Sequence, residues 1–344
     1  MTGVTMASPL QRAKTYVERV GLASTTTSII ELPGDASNRC YIRVEASDGS
    51  SYILLIHHEP IDSATLPFLD VSGLLTSMSI PTPKIQDTAD DLGIVVLDDL
   101  GDITLHCFVG TATDDERIAQ YTEAVDLIVR MQRKGKEIVS SDHTPFTLAF
   151  DEDKLMSELK FFVTHFLEKY SNADLVRTDR TGLHEEFRIV VQELASESRV
   201  LCHRDYHSRN LMLHDGKLHV IDFQDARMGP DTYDLVSLLR DCYVDNDTAF
   251  VTRLVAHYHK KMDTSVDSSY LERFDLMSVQ RHLKALGTFG YQITVAGSTK
   301  YATAIPRTLR YLADVFRRRS RFNRLHTILT TYVSGLDKPE VVNY

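Results

Sequence analysis

Between positions 203 and 210 the chain reads His203-Arg204-Asp205-Tyr206-His207-Ser208-Arg209-Asn210, and a second carboxylate follows in Val220-Ile221-Asp222-Phe223. These residue types at this spacing suit one chemistry. A carboxylate at Asp205 can accept or orient the proton of a substrate hydroxyl. The amide oxygen of Asn210 and the carboxylate of Asp222 are hard donors, suited to Mg²⁺, which takes few protein ligands and binds phosphate. An H-x-D-x-x-x-x-N loop followed by a D-F segment therefore points to transfer of a phosphoryl group from a nucleoside triphosphate to an alcohol. The competing reading, a surface hairpin with a chance Asp and Asn, leaves the register of the three residues unexplained.

The elements around the loop must bring these residues together. After Asn210 the chain runs Leu211-Met212-Leu213, turns at His214-Asp215-Gly216-Lys217 and returns as Leu218-His219-Val220-Ile221. Asp-Gly between two apolar runs predicts a short hairpin. Such a hairpin would return Asp222 to the side of Asn210. Upstream, helical apolar spacing over 9–20 ends at Gly21. Strand patterns follow at 28–32, 40–44 and 52–56, then a helix over 66–78 and a buried strand over 93–97. Beyond residue 100 the pattern turns helical, at 114–134, 151–170, 182–198, 232–243, 249–262, 270–286 and 306–333. The expected fold is α+β: a small β-rich N-lobe over 1–100 and a larger helical C-lobe over 101–344, the two-lobed layout of protein kinases, with nucleotide in the cleft between the lobes.

Composition narrows the partners. Of 344 residues, 43% are hydrophobic and 25% charged, ordinary values for a globular chain long enough for two cores. A net charge of -10 argues against general nucleic-acid binding and against anionic membrane surfaces. Cys40, Cys107, Cys202 and Cys242 are scattered and form no C-x-x-C pair, which fits a reducing compartment. No apolar core region marks the first ten residues and no apolar run reaches membrane-spanning length. A cytoplasmic monomer is expected. His57-His58 has no third ligand at useful spacing and reads as a strand end. Arg317-Arg318-Arg319-Ser320-Arg321 reads as the solvated face of an amphipathic helix.

The segments 201–212, 221–226 and 229–241 together resemble the aminoglycoside phosphotransferase superfamily. Within it they are similar to the bacterial anomeric kinases of cell-wall amino sugars, which phosphorylate N-acetylmuramate and N-acetylglucosamine at C1. Residues 34–44 look like the nucleotide loop of that subgroup, and Leu97-Asp98-Asp99-Leu100-Gly101-Asp102 like its inter-lobe hinge. Segments 281–287 and 306–312 also fit, so the resemblance spans nearly the whole chain. It implies ATP and Mg²⁺ as cofactors and a small-molecule amino sugar as acceptor. It implies Asp205 as catalytic base and Asn210 and Asp222 as metal ligands. His203 would tie the loop to the Asp222 segment, and Asp234 would bond the loop backbone, a role compatible with a helix-start carboxylate.

One departure stands out. Kinases place a lysine on the third strand against the nucleotide phosphates, but here that strand reads Tyr52-Ile53-Leu54-Leu55-Ile56-His57-His58. Arg39 and Arg43 are candidates for the missing charge, and Ser37 lies where small residues let backbone amides approach phosphate. For the acceptor, His207 and Arg209 flank Asp205. Arg240 and Asp241 could bond sugar hydroxyls, and Tyr243 could stack on a ring. Three rivals stay open: an aminoglycoside kinase, for which Asp241, Asp245 and Asp247 could supply an acidic pocket; a choline- or homoserine-type kinase; and a nucleotide-binding regulatory module without catalysis.

Overall fold

The computed structural model describes residues 6–33, 39–138 and 142–337. In chain order the elements are α1 (Pro9–Arg19), β1 (Thr26–Leu32), β2 (Cys40–Ala46), β3 (Ser51–Ile56), α2 (Pro67–Ser77), β4 (Ile85–Ala89), β5 (Ile94–Asp98), α3 (Leu105–Val109), α4 (Asp114–Glu137), α5 (Thr144–Thr147) and α6 (Glu152–Phe162). A π-helical stretch, Val163–Tyr170, continues α6, and α7 (Arg177–Ser196) and β6 (Arg199–Cys202) follow. After these come β7 (Leu211–His214), β8 (Lys217–Val220), β9 (Arg227–Pro230), α8 (Tyr233–Leu239), α9 (Thr248–Met262), α10 (Ser268–Thr294), α11 (Ile305–Arg318) and α12 (Asn323–Tyr332). Among the described residues no helix is long and apolar enough to cross a membrane.

The chain divides into two compact units, Met1–Ile103 with Met212–Gln224, and Thr104–Leu211 with Asp225–Tyr344. The segment 212–224 falls with the first unit. Local bonds explain its placement. Leu213 N donates to Ile103 O at 2.7 Å, Val220 N donates to Pro81 O at 2.8 Å, and Phe223 stacks on Phe68 with ring centroids 4.8 Å apart.

In the first unit a five-stranded antiparallel sheet has the order β1-β2-β3-β5-β4. Ile42, Val44, Leu54, Ile56, Ile94 and Val96 alternate onto one face and are buried against Ala13, Tyr16 and Val17 of α1. Alternation of this kind is what makes a strand pattern legible. The strand β4 carries Gln86 and Asp87, both exposed, and has no such alternation; it was not expected. It is an edge strand, paired only with β5. The β7–β8 hairpin turns through Asp215 at φ 49° and Gly216 at φ 72°, so both central residues are left-handed, as a two-residue type I′ turn requires.

In the second unit α10 is the central element, buried along most of its length. It passes very close to the π-helical stretch. A Cβ added at Gly287 would stand 2.9 Å from Phe162 N, and one at Gly290 would stand 2.4 Å from His165 O. Only glycine allows this approach of backbone to backbone. The short β6 and β9 pair antiparallel, and β6 leads into the 203–210 loop. The helix expected over 306–333 is interrupted. Arg319 adopts extended backbone, φ -125° and ψ 94°, and its Nε reaches Asp275 at 2.7 Å, so α11 and α12 are separate.

Candidate active site

The 203–210 loop leaves β6 at Cys202 and is clamped from below by two buried carboxylates. Asp234, in the first turn of α8, accepts from His203 N at 2.6 Å and Arg204 N at 3.0 Å. Asp241 accepts from Ser208 N at 2.9 Å and Tyr243 N at 2.8 Å. Hydrogen bonds to a charged acceptor are the stronger kind, and three of them, two on Asp234 and one on Asp241, fix the loop backbone. Burial pushes the Asp234 carboxyl up, partly offset by its bonds to the loop. Arg204 sits at φ 87°, unusual for a residue with a side chain. The clamp on its amide and an ion pair from its Nη1 to Asp225 at 3.0 Å hold it there. His203 Nδ1 accepts from Asp205 N at 3.3 Å, and the Asn210 amide donates to Asp205 O at 2.9 Å.

Asp205 keeps 24% of its side-chain surface accessible, enough for a hydroxyl to reach it. Its neighbours are cations. Lys284 Nζ lies 2.7 Å from Oδ1, Arg281 Nη2 3.8 Å from the same oxygen, and Arg204 Nε 3.8 Å from Oδ2. Burial pushes the Asp205 carboxyl up, but Lys284, Arg204 and Arg281 outweigh it and hold the group well below the usual carboxylate range. Burial pushes the Lys284 ammonium down, against the attraction of Asp205. Glu158 stands behind, bonded by Gln280 Nε2 at 3.0 Å and paired with Lys154 at 3.1 Å. His207 is pushed down to about 4, chiefly by burial, and is neutral at physiological pH.

Lys284 and Arg281 were not among the residues read as functional in the sequence, although the segment that carries them was. A signal was present. Arg281 and Lys284 are three apart on α10, in a run where Leu276, Met277, Val279, Leu283 and Leu286 are buried. Cations on the inward face of a buried helix need a carboxylate partner. The packing at Gly287 and Gly290 fixes this helix, and Arg281 Nε donates to Ser237 Oγ of α8 at 2.7 Å.

The residues expected at the acceptor separate into two groups. His207 and Arg209 lie on the loop beside Asp205. Arg209 places its guanidinium 3.9 Å from the Tyr243 ring centroid, and the His207 ring meets the same tyrosine edge-on at 5.2 Å. Arg240 and Asp241 act instead as scaffold. Arg240 points at Asp275, 2.8 Å away, a carboxylate it shares with Arg318 and Arg319. Both oxygens of Asp241 are taken by backbone amides, one from the loop at Ser208 and one from Tyr243. The reason is burial: at these depths an unpaired charge is too costly, so each is committed to a structural partner. The arginine run, read as a solvated face, thus contributes two of its members to a buried ion pair.

In the first unit Asp222 sits at φ 60° and accepts from Gln224 Nε2 at 3.0 Å. Arg39 bonds the Tyr41 hydroxyl, and Tyr41 also senses the charge of Asp222; burial is the main influence raising that phenol. Arg39 and Asp222 therefore share a neighbourhood. Arg43 does not offer its charge outward. Its Nε lies 2.7 Å from Asp99 and its Nη2 2.9 Å from Asp102, so its guanidinium braces the 98–102 segment. Ser37 lies outside the described residues. Among the described residues no three His, Cys, Asp or Glu side chains gather as a metal set. The donors expected for Mg²⁺, one amide and one carboxylate oxygen, fit a cation completed by phosphate and water, not a protein-enclosed metal.

Comparison with known proteins follows the same direction. A profile of the phosphotransferase enzyme family, APH, matches residues 28–269. The N-acetylmuramate/N-acetylglucosamine kinase of Neisseria meningitidis serogroup B is 34% identical over 307 residues, 87% of this chain and 89% of that protein. The protein of the same name from Pseudomonas aeruginosa is 30% identical over 316 residues, 90% of each. Among solved structures, aminoglycoside phosphotransferase APH(2'')-Ib with ADP bound superposes with a TM-score of 0.60 at 14% identity, covering 90% of this chain and 99% of that one. A choline/ethanolamine kinase family protein from Mesorhizobium loti gives 0.61 at 15% identity, with 92% and 97% covered. At such identities the structural likeness speaks for the fold alone, which is the kinase-like α+β fold expected.

Proposed function

The chain belongs to the phosphotransferase enzyme family and is a kinase; from that premise we propose that it phosphorylates an N-acetylated amino sugar, N-acetylmuramate or N-acetylglucosamine, at the anomeric hydroxyl, using ATP and Mg²⁺ in the cytoplasmic recycling of cell wall. The observation that carries this reading is the similarity, over nearly the full length of both chains, to kinases named for those two sugars.

The site chemistry supports it. Asp205, ionised throughout the physiological range, orients the acceptor hydroxyl and takes its proton as the new bond forms. Phosphoryl transfer through a loose transition state asks for positioning and charge stabilisation more than for a strong base. A carboxylate this weakly basic suits the anomeric hydroxyl, the most acidic hydroxyl of a sugar because its carbon also carries the ring oxygen. Mg²⁺, with Asn210 and Asp222 as its proposed donors, would neutralise the phosphate charge. Arg39, near Asp222, is the proposed replacement for the absent strand lysine. An aminoglycoside acceptor fits less well. Lys284, Arg281 and Arg204 crowd Asp205, and the acids that could hold a polycation are engaged: Asp241 by the amides of Ser208 and Tyr243, Asp245 by Arg310 at 2.6 Å, Asp247 as the cap of α9.

A ³¹P NMR assay with ATP, Mg²⁺ and each acceptor in turn tests the proposal. The expected result is an anomeric phosphate signal from both amino sugars, abolished in Asp205→Asn with the fold retained by circular dichroism. Phosphorylation of an aminoglycoside with neither sugar consumed would overturn it.

A further inference from the structure

Within the second unit, a group of basic side chains gathers around Tyr243 from three different elements. Arg209, on the loop, lies over the Tyr243 ring at 3.9 Å. His106, on α3, meets that ring edge-on at 6.4 Å. Arg307, in the first turn of α11, donates from Nη1 to Cys242 O at 3.0 Å, one residue from the tyrosine. Burial first, then the charge of Arg209, push the His106 imidazole down; Asp241 opposes them and Arg307 adds to them. The acid in the group, Asp241, has both oxygens bonded to backbone amides. Arg307 Nε and His106 Nδ1 are buried and have no hydrogen-bond partner.

Two arginines beside the single carboxylate of Asp241 leave an excess of positive charge, and buried donors without acceptors are destabilising. A bound anion resolves both. The group is also placed for one. His207 touches Tyr243 and also senses the charge of Asp205. A ring with its reacting hydroxyl at Asp205 would therefore carry a substituent toward Tyr243. We infer that Arg307, Arg209 and His106 form an anion subsite beside Tyr243 that receives a carboxylate borne by the acceptor sugar; the inference rests on the amino-sugar kinase reading. The two arginines supply charge-assisted hydrogen bonds, His106 donates as a neutral imidazole, and the Tyr243 face packs against the sugar.

The two proposed sugars isolate the carboxylate, because N-acetylmuramate has the skeleton of N-acetylglucosamine with an added lactyl ether. The experiment measures kcat/KM for both sugars on the wild type, Arg307→Met and Arg209→Met. The ratio of the N-acetylmuramate value to the N-acetylglucosamine value should fall about tenfold to a hundredfold in each variant, the worth of one hydrogen bond to a charged group. The fall should be mainly in KM, with Arg307→Lys restoring part of it. Taking the ratio on one preparation cancels any loss of folded enzyme. Arg307→Gln, which keeps a donor for Cys242 O, serves if the methionine variant does not fold. An unchanged ratio in the Arg307 and Arg209 variants, with the wild type active on both sugars, would overturn the subsite alone. A wild type inactive on both sugars would instead overturn the reading beneath it.

Discussion

Lys284→Met is the substitution that most directly tests how Asp205 is tuned. The ammonium lies 2.7 Å from Oδ1, in a pair where the lysine keeps 13% and the aspartate 24% of their side-chain surface. At an effective dielectric near 20, unit charges about 4 Å apart interact by about 4 kcal/mol, equivalent to about three pKa units. Arg204 and Arg281 stay within 3.8 Å after the substitution, and solvent reaches the carboxylate. The expected upward movement of the Asp205 carboxyl is therefore about one to two units. The assay is kcat/KM against pH, from the lowest pH at which the fold persists to pH 9. In the wild type the acid limb due to Asp205 should lie below the ordinary carboxylate range. In Lys284→Met it should move up by about one to two pH units, and Lys284→Arg should largely prevent the movement. The folded carboxyl is depressed, so the pair stabilises the protein above about pH 4 and loses that contribution as pH falls through the folded value. The variant's deficit in melting temperature should accordingly shrink toward acid pH. A profile lowered uniformly, with its acid limb unmoved, would refute the coupling.

Asp275→Asn removes the carboxylate shared by Arg240, Arg318 and Arg319, of which Arg240 is itself buried. Burial pushes the Asp275 carboxyl up, but the three arginines hold it below its usual value. Urea denaturation should show a loss of about 3–5 kcal/mol near pH 7, fading as pH drops below about 4, where the unfolded carboxyl begins to protonate. Gly290→Ala would bring a Cβ to 2.4 Å from His165 O. Backbone cannot yield as a side-chain tip would, so a loss of about 1–3 kcal/mol is expected by the same measurement, with reduced turnover because α10 also carries Arg281 and Lys284.

The kind of chemistry and most of the elements are legible in the sequence alone. Asp205, Asn210 and Asp222 point to phosphoryl transfer because that reaction is served by a hydroxyl-directed carboxylate and hard oxygen donors. The Asp215-Gly216 turn and the alternation of β2, β3 and β5 were legible because each depends on residues within a few positions of each other. The edge strand β4 was not, since its pairing depends on β5 and not on a pattern of its own. The partnership of charges, by contrast, emerges only in the folded chain. Nothing near position 205 in the chain announces that its carboxylate meets Lys284 and Arg281, 79 and 76 residues later. Nothing near position 240 announces that Arg240 turns to Asp275 instead of the acceptor, or near 43 that Arg43 turns to Asp99. A charge carries no periodicity that names its partner. Its place is chosen when burial makes an unpaired charge costly, and the packing of α10 through Gly287 and Gly290 brings its cations to the loop.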